Sequence, residues 1–177
     1  MVYAPLVSVI IVCWNSAKYL SSCLSALDAL ASRDFEIVLI DNGSSDGALD
    51  NVVKKYPRLN FQINKLGSNL GFAVANNIGA SLARGKYLAL LNADAFPEPE
   101  WLGQLLKAAE DNQDFTFFTS RQIQANTPEL LDGTGDVYHA SGLAWRQNQD
   151  RPSDTFGSQS CEVFGACAAA LYARTIS

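Results

Sequence analysis

Long apolar runs are missing from this 177-residue sequence. No stretch reaches the ~18 apolar residues that a membrane-spanning helix needs, so no span is expected. Residues 1–15 lack the basic start and small-residue cleavage site of a signal peptide. Histidine occurs once, at His139. That rules out a His/Cys metal cage, and a Ser-His-Asp triad would have to use His139. Basic residues are outnumbered, 13 Lys plus Arg against 18 Asp plus Glu, for a net charge of −5. Such a balance argues against a nucleic-acid partner, which calls for a basic face. The cysteines Cys13, Cys23, Cys161 and Cys167 show no Cys-x-x-Cys spacing. They read as reduced core residues of a cytosolic protein.

Phosphate-binding fingerprints are absent too. The nearest approach to Gly-x-Gly-x-x-Gly is Gly133-Thr-Gly135, which continues to Tyr138 and follows no clear strand. A nicotinamide-dinucleotide site loses its main support. Gly79 to Gly85-Lys86 superficially matches a P-loop, but it is one residue too long. Tyr87 stands where Ser or Thr is needed, and the segment joins helix to strand rather than strand to helix.

What is present is apolar sequence in two alternating periods. The chain is 48% hydrophobic and 18% charged, which suits a packed core. Residues 1–177 have the length of one ordinary domain. Ser8–Cys13 and Phe35–Ile40 are continuous apolar runs, as in strands buried on both faces. Between them Leu20, Leu24, Leu27 and Leu30 mark a helix over 17–31. A second helix is expected at 48–56, capped by Asp46 and ended by Pro57. A strand at 59–64, a small-residue helix at 72–84, a strand at 86–91, a helix at 100–111 and a strand at 115–119 follow. This βα alternation predicts an α/β fold with a mostly parallel central sheet and helices on both faces. Residues 126–160 read as an irregular excursion with an apolar island at 137–145. Order is expected to return at 162–172.

Three of these strands end in polar or acidic clusters. Val7–Cys13 runs into Trp14-Asn15, Phe35–Ile40 into Asp41-Asn42-Gly43-Ser44-Ser45-Asp46-Gly47, and Tyr87–Leu91 into Asn92-Ala93-Asp94. Ligands of open parallel sheets bind outside the carboxyl ends of the strands, so the clusters are expected to share a cleft. Any one of them fits turn and cap chemistry alone. Together they assign Asp41 as acceptor for a ligand N–H and Asp94 as ligand of a divalent cation, Mg²⁺ or Mn²⁺. A metal-dependent nucleotidyltransferase and a non-catalytic nucleotide-sugar-binding module both remain open.

Ser8-Val-Ile-Ile-Val-Cys-Trp-Asn15, Ile40-Asp-Asn-Gly-Ser-Ser-Asp-Gly47, Asn69-Leu-Gly-Phe-Ala-Val-Ala-Asn-Asn-Ile-Gly79 and Leu90-Leu-Asn-Ala-Asp94 resemble the successive motifs of family-two inverting glycosyltransferases. These are nucleotide-sugar enzymes of GT-A fold with a Rossmann-like nucleotide-binding half. The Asn92-x-Asp94 form is similar to the rhamnosyltransferase-like branch. The segment from Gly165 to Arg174 is similar to one that lines the acceptor side.

The resemblance implies a uridine or thymidine diphosphate sugar as donor and a saccharide or lipid-linked acceptor, in cell-wall or polysaccharide synthesis. It implies that Asp41 reads the base edge and that Cys13, Trp14 and Asn15 line the base and ribose pocket. Asn42, Asn69, Asn77 and Asn92 would help hold the nucleotide, and Asp94 the metal. In the family the catalytic base lies in an acidic segment past the one ending at Arg174, so no catalytic residue is assigned here. Asp132, Asp136 and Glu162 are the nearby acids, and none sits in that motif. The chain thus reads as the amino-terminal, nucleotide-binding part of a longer enzyme. Self-association through uncovered apolar surface is expected, as is a cytoplasmic location or one peripheral to the inner face of the membrane.

Overall fold

Odd- and even-numbered residues of the first strands go to different cores. In β1 (Val7–Cys13) and β2 (Phe35–Asp41), Val7, Val9, Ile11, Cys13, Ile37 and Leu39 join one cluster, while Ile10, Val38 and Ile40 join another. This is the period of two of a strand buried on both faces. The first cluster is completed by α1 (Ala17–Asp28), α2 (Val52–Lys55) and α4 (Trp101–Asp111). Opposite them, α3 (Phe72–Leu82) covers the second cluster. It lies close to the sheet, for a Cβ on Gly79 would sit 2.5 Å from Ile10 Cγ2. Its small residues serve that approach.

The computed structural model describes residues 4–50, 52–154, 161–165 and 169–174. Cys167 lies outside them, as do 166–168 of the expected ordered segment. The remaining elements are β3 (Phe61–Lys65), β4 (Tyr87–Leu91), β5 (Phe117–Thr119), β6 (Gln122–Ile123), β7 (Leu131–Gly133), β8 (Asp136–Tyr138), β9 (Ala144–Arg146) and β10 (Ala169–Ala173). The main sheet has six strands in the order β3-β2-β1-β4-β10-β5. The pairs β1–β2, β1–β4 and β2–β3 are parallel, and β10 runs antiparallel between β4 and β5. The expected architecture, mostly parallel with helices on both faces, is present.

Several details depart from expectation. Helix α2 is confined to Val52–Lys55. Ahead of it Gly47 sits at φ +70 and the Asp50 N–H closes a tight turn onto Gly47 O. The apolar island at 137–145 becomes the β8–β9 ribbon and exposes Tyr138, Leu143 and Trp145. Cys13 and Cys23 are buried free thiols, but Cys161 is exposed, so it is not a core residue. Among the described residues no helix is long and apolar enough to cross a membrane.

At the amino ends of the strands one buried ionic cluster fixes the sheet. Glu36 is 1% exposed. Its Oε1 accepts from Ser8 Oγ at 2.7 Å and from the Arg84 backbone N–H at 2.8 Å, and its Oε2 accepts from Arg84 Nε at 2.8 Å. Ser8 Oγ in turn accepts from the Gly85 N–H at 2.8 Å. The α3–β4 connection is thereby tied to β1 and β2. Burial pushes the Glu36 carboxyl up, but the hydrogen bonds from Arg84 and Ser8, with the Arg84 charge, outweigh it and hold the group below its ordinary 4.5.

We predict that Glu36→Ala costs about 2–4 kcal/mol, toward the low end for a broken buried pair because Arg84 is half exposed. A folded pKa below the unfolded one stabilises fully above the unfolded value and stops doing so as pH falls through the folded value. Urea unfolding of the native chain should therefore lose stability below pH 4.5, more steeply than Glu36→Gln does. Equal pH slopes would contradict the ionic role.

Candidate functional site

The strand order reverses beside β1. The chain steps outward from β1 to β2 and β3, then returns across β1 to β4. Such a reversal opens a crevice past the carboxyl ends of the strands. A cleft of about 370 Å³ lies there, within the usual size range of small-molecule sites. The turn after β1 lines it with Trp14, Asn15 and Ser16, and the first turn of α1 with Tyr19. Asn42 enters from β2, Asn69 and Phe72 from the approach to α3, and Asn92 and Asp94 from the turn after β4.

Three loops are sewn together by side-chain amides. Asn42, nearly buried, donates from Nδ2 to Asn69 Oδ1 at 3.0 Å and accepts the Leu70 N–H on Oδ1 at 2.9 Å. Its own N–H donates to Cys13 O at 2.8 Å. Asn69 Oδ1 also accepts the Gly71 N–H at 2.9 Å. Gly43 makes this closeness possible: at φ +81, a Cβ there would lie 2.6 Å from the Ser68 carbonyl carbon. On the other side Asn15, at φ 51, accepts the Ser45 N–H on Oδ1 at 3.0 Å and donates its own N–H to Ser44 Oγ at 3.1 Å. Asp46 accepts the Ala17 N–H at 2.7 Å and the Ala48 N–H at 3.0 Å. It caps α1 from another loop instead of starting α2.

The structure brings Trp14, Asn15, Asn42, Asn69, Asn92 and Asp94 to the cleft. Asp41 stands just behind them, 8% exposed, with Oδ1 accepting the Ser44 N–H at 2.8 Å. Cys13 does not face the cleft. Its thiol is buried in the core, where burial foremost, with Cys23, Asp41 and Asp46, pushes it up to about 12. Asn77 lies exposed on α3, outside the cleft lining. Ser16, Tyr19 and Phe72 line the cleft without having been singled out by sequence. For Phe72 the signal was an aromatic opening an otherwise small-residue helix. Gly43-Ser44-Ser45-Asp46-Gly47 matches Gly-x-Ser-x-Gly by letter, but no helix begins there. His139 pairs instead with Ser141, Nδ1 to Oγ at 2.8 Å.

Trp14 and Phe72, 56% and 60% exposed, offer flat apolar faces in the cleft. Asp94 is the one charged residue of the lining. Its carboxylate makes no hydrogen bond or ion pair among the described residues. Beneath it Cys23 Sγ donates to Asn92 O at 3.8 Å, and that thiol is pushed up to about 12 by burial and by Asp94. Among the described residues no group of three or more His, Cys, Asp or Glu is placed to hold a metal ion, so those residues offer no complete cation cage. An unpaired carboxylate beside an amide oxygen does suit a hard cation that takes its other ligands from a phosphate. The amino end of α3 also opens here without a side-chain cap, which favours anions, whereas that of α1 is already met by the Asp46 carboxylate.

A family model described as Glycosyl transferase family 2 matches residues 8–172. EpsH of Bacillus subtilis (strain 168), a protein named as a glycosyltransferase, is 28% identical over 129 residues, covering 72% of this chain and 37% of its own length. Chondroitin synthase of Escherichia coli is 34% identical over 99 residues, 54% of this chain and 14% of that one. Among solved structures, S. aureus TarS 1–349 in complex with UDP-GlcNAc matches with a TM-score of 0.60 at 26% identity, covering 66% of this chain and 34% of that one. Mannosyltransferase PcManGT from Pyrobaculum calidifontis, in complex with GDP-Man and Mn²⁺, matches with a TM-score of 0.62 at 25% identity, over 68% and 36%. The sheet flanked by helices is thus that of GT-A neighbours such as TarS. The chain spans well under half the length of each of these proteins.

Removing the amide of Asn42 should free the loop ahead of α3. We predict that Asn42→Ala destabilises the fold by about 1–3 kcal/mol and speeds hydrogen exchange at Leu70 and Gly71 far more than at Ile10. Unchanged protection at Leu70 would contradict this role.

Proposed function

The chain belongs to glycosyl transferase family 2, and on that premise we propose that its cleft binds a nucleotide diphosphate sugar. The whole protein would transfer that sugar, with inversion at the anomeric carbon, to a saccharide or lipid-linked acceptor. One observation carries the reading. The cleft at the strand reversal holds an unpaired carboxylate and no Lys or Arg in its lining. A diphosphate there needs a cation between itself and Asp94. Asp94 and Asn92 would hold that cation, and when bound it supplies Lewis-acid stabilisation to the departing diphosphate.

The rest is orientation. Asp41 would accept from a base N–H, and Trp14 and Phe72 would hold the flat base between them. The α3 amino end would face the phosphates. In the transfer the acceptor oxygen bonds to the anomeric carbon as the bond to the diphosphate breaks, and the acceptor proton passes to a base that the lining does not include. That lack also supports a binding-only reading of residues 1–177, as one nucleotide-sugar-binding domain. Among the neighbours, TarS is bound to UDP-GlcNAc and PcManGT to GDP-Man with Mn²⁺. The Asn92-x-Asp94 form supports the rhamnosyltransferase-like branch, and with it a uridine or thymidine donor. A lipid-linked acceptor would be met by a peripheral protein at the inner face of a membrane.

Calorimetry with UDP, dTDP and GDP tests this. UDP or dTDP should bind more tightly than GDP, and Asp41→Asn should lose about 1–3 kcal/mol of that affinity. Equal affinity before and after substitution would remove Asp41 from the base site. Mn²⁺ alone should bind feebly, whereas diphosphate binding should require it. In Asp94→Ala the cation dependence should vanish along with most of the affinity. Diphosphate binding that EDTA leaves untouched would overturn the metal role.

A further inference from the structure

Two stacked aromatic rings lie on the surface where burial would be the rule. Tyr138 and Phe164 are 50% and 69% exposed, and their ring centroids are 5.0 Å apart at 23°. Backbone bonds hold them in place. The Asp136 N–H donates to Gly165 O at 3.0 Å and the Phe164 N–H to Asp136 O at 3.1 Å. Opposite Tyr138 in the ribbon stands Ala144, whose methyl group leaves the phenol ring uncovered. Next to the pair His139 uses Nδ1 on Ser141, and its Nε2 and the Tyr138 hydroxyl make no hydrogen bond among the described residues.

On the reading of the cleft given above, we propose that Tyr138 and Phe164 form a platform on which a pyranose ring of the acceptor stacks. The C–H face of a pyranose carries slight positive charge and suits the negative face of an aromatic ring. Its hydroxyl rim needs donors and acceptors, which His139 Nε2 and the Tyr138 hydroxyl supply. Rings already fixed by backbone bonds lose little freedom on binding. The position also fits. Strand β10 is antiparallel to β4, with Ala169 paired to Leu91, so Ala169 lies at the carboxyl end of β4, next to the turn that carries Asn92 and Asp94. Gly165 is tethered to Ala169 by at most about 14 Å of extended chain. Gly165, next to Phe164, therefore lies within reach of the edge at which the donor sugar would be held.

Titration of the labelled full chain, followed by NMR, tests the platform with cellobiose, lactose, diacetylchitobiose and methyl α-rhamnoside. At least one sugar should shift the Tyr138, His139 and Phe164 signals. Phe164→Ala should weaken that binding about five- to tenfold, while Phe164→Trp retains it. Trp145→Ala, paired with Val137 on the other face of the ribbon, should not alter it. No shift from any of these sugars, or equal binding by Phe164→Ala, would overturn the proposal. So would sedimentation showing that Phe164→Ala splits an oligomer, since the rings would then join copies of the chain. UDP with Mn²⁺ should still move Trp14 and Phe72 in every variant. Its failure to do so would count against the cleft reading and leave the saccharide result to stand alone.

Discussion

The side-chain amide of Asn42 uses both its ends at once, donating to Asn69 Oδ1 and accepting from the Leu70 N–H. Its backbone N–H reaches across to Cys13 O. One residue thus ties the end of β2 to the end of β1 and to the approach of α3. An amide is suited to this because it is donor and acceptor in one plane. An aspartate would present two acceptors and meet Asn69 Oδ1 with repulsion. Gly43 extends the constraint, since only a residue without Cβ lets the Ser68 backbone come so near. From this clasp follow the position of Asn69, the direction in which α3 starts and the placing of Phe72 in the cleft.

The cleft so built is polar without being basic. Asparagine and serine side chains spend most of their hydrogen bonds on each other's loops, which makes the walls rigid and leaves few charges to meet a ligand. One uncapped helix amino end, that of α3, and one free carboxylate remain. Those groups are contradictory for a bare diphosphate, since Asp94 repels what the α3 amino end attracts. A divalent cation would reconcile them, and on the proposed function it would link the loop architecture to glycosyl transfer. Cys13 and Cys23 lie buried in the core beneath this cleft, where burial foremost pushes both thiols up to about 12.

Much of this was legible in the sequence because the strands are buried on both faces and therefore continuous in apolar residues. Strand-end clusters follow directly, so Trp14, Asn15, Asn42, Asn92 and Asp94 could be named before their positions were known, while Asn69 came only from the family resemblance. Cys13 could not be told from a cleft residue, because alternation along β1 decides its direction and a run apolar on both faces hides that alternation. Asn77 sits beside Asn76, and only the helix register shows that Asn76 is buried while Asn77 faces out. The antiparallel entry of β10 was invisible, since a buried strand carries no mark of its direction. Helix α2 fell short because Gly47 favoured a turn over the cap that Asp46 was expected to provide. The exposed ring pair was hidden as well, since hydrophobicity alone cannot separate a buried island from a surface one.

The central claim, that the cleft beyond β1 and β4 takes a cation-bound nucleotide diphosphate, is most directly tested by a crystal of the chain soaked with UDP or dTDP and Mn²⁺. The account predicts the pyrimidine beside Asp41 between Trp14 and Phe72, with an anomalous manganese peak between the diphosphate and Asp94. A nucleotide seated instead against Arg33 and Arg58 in a second pocket, lined also by Phe35 and Leu59, or a diphosphate in the cleft without manganese at Asp94, would contradict it.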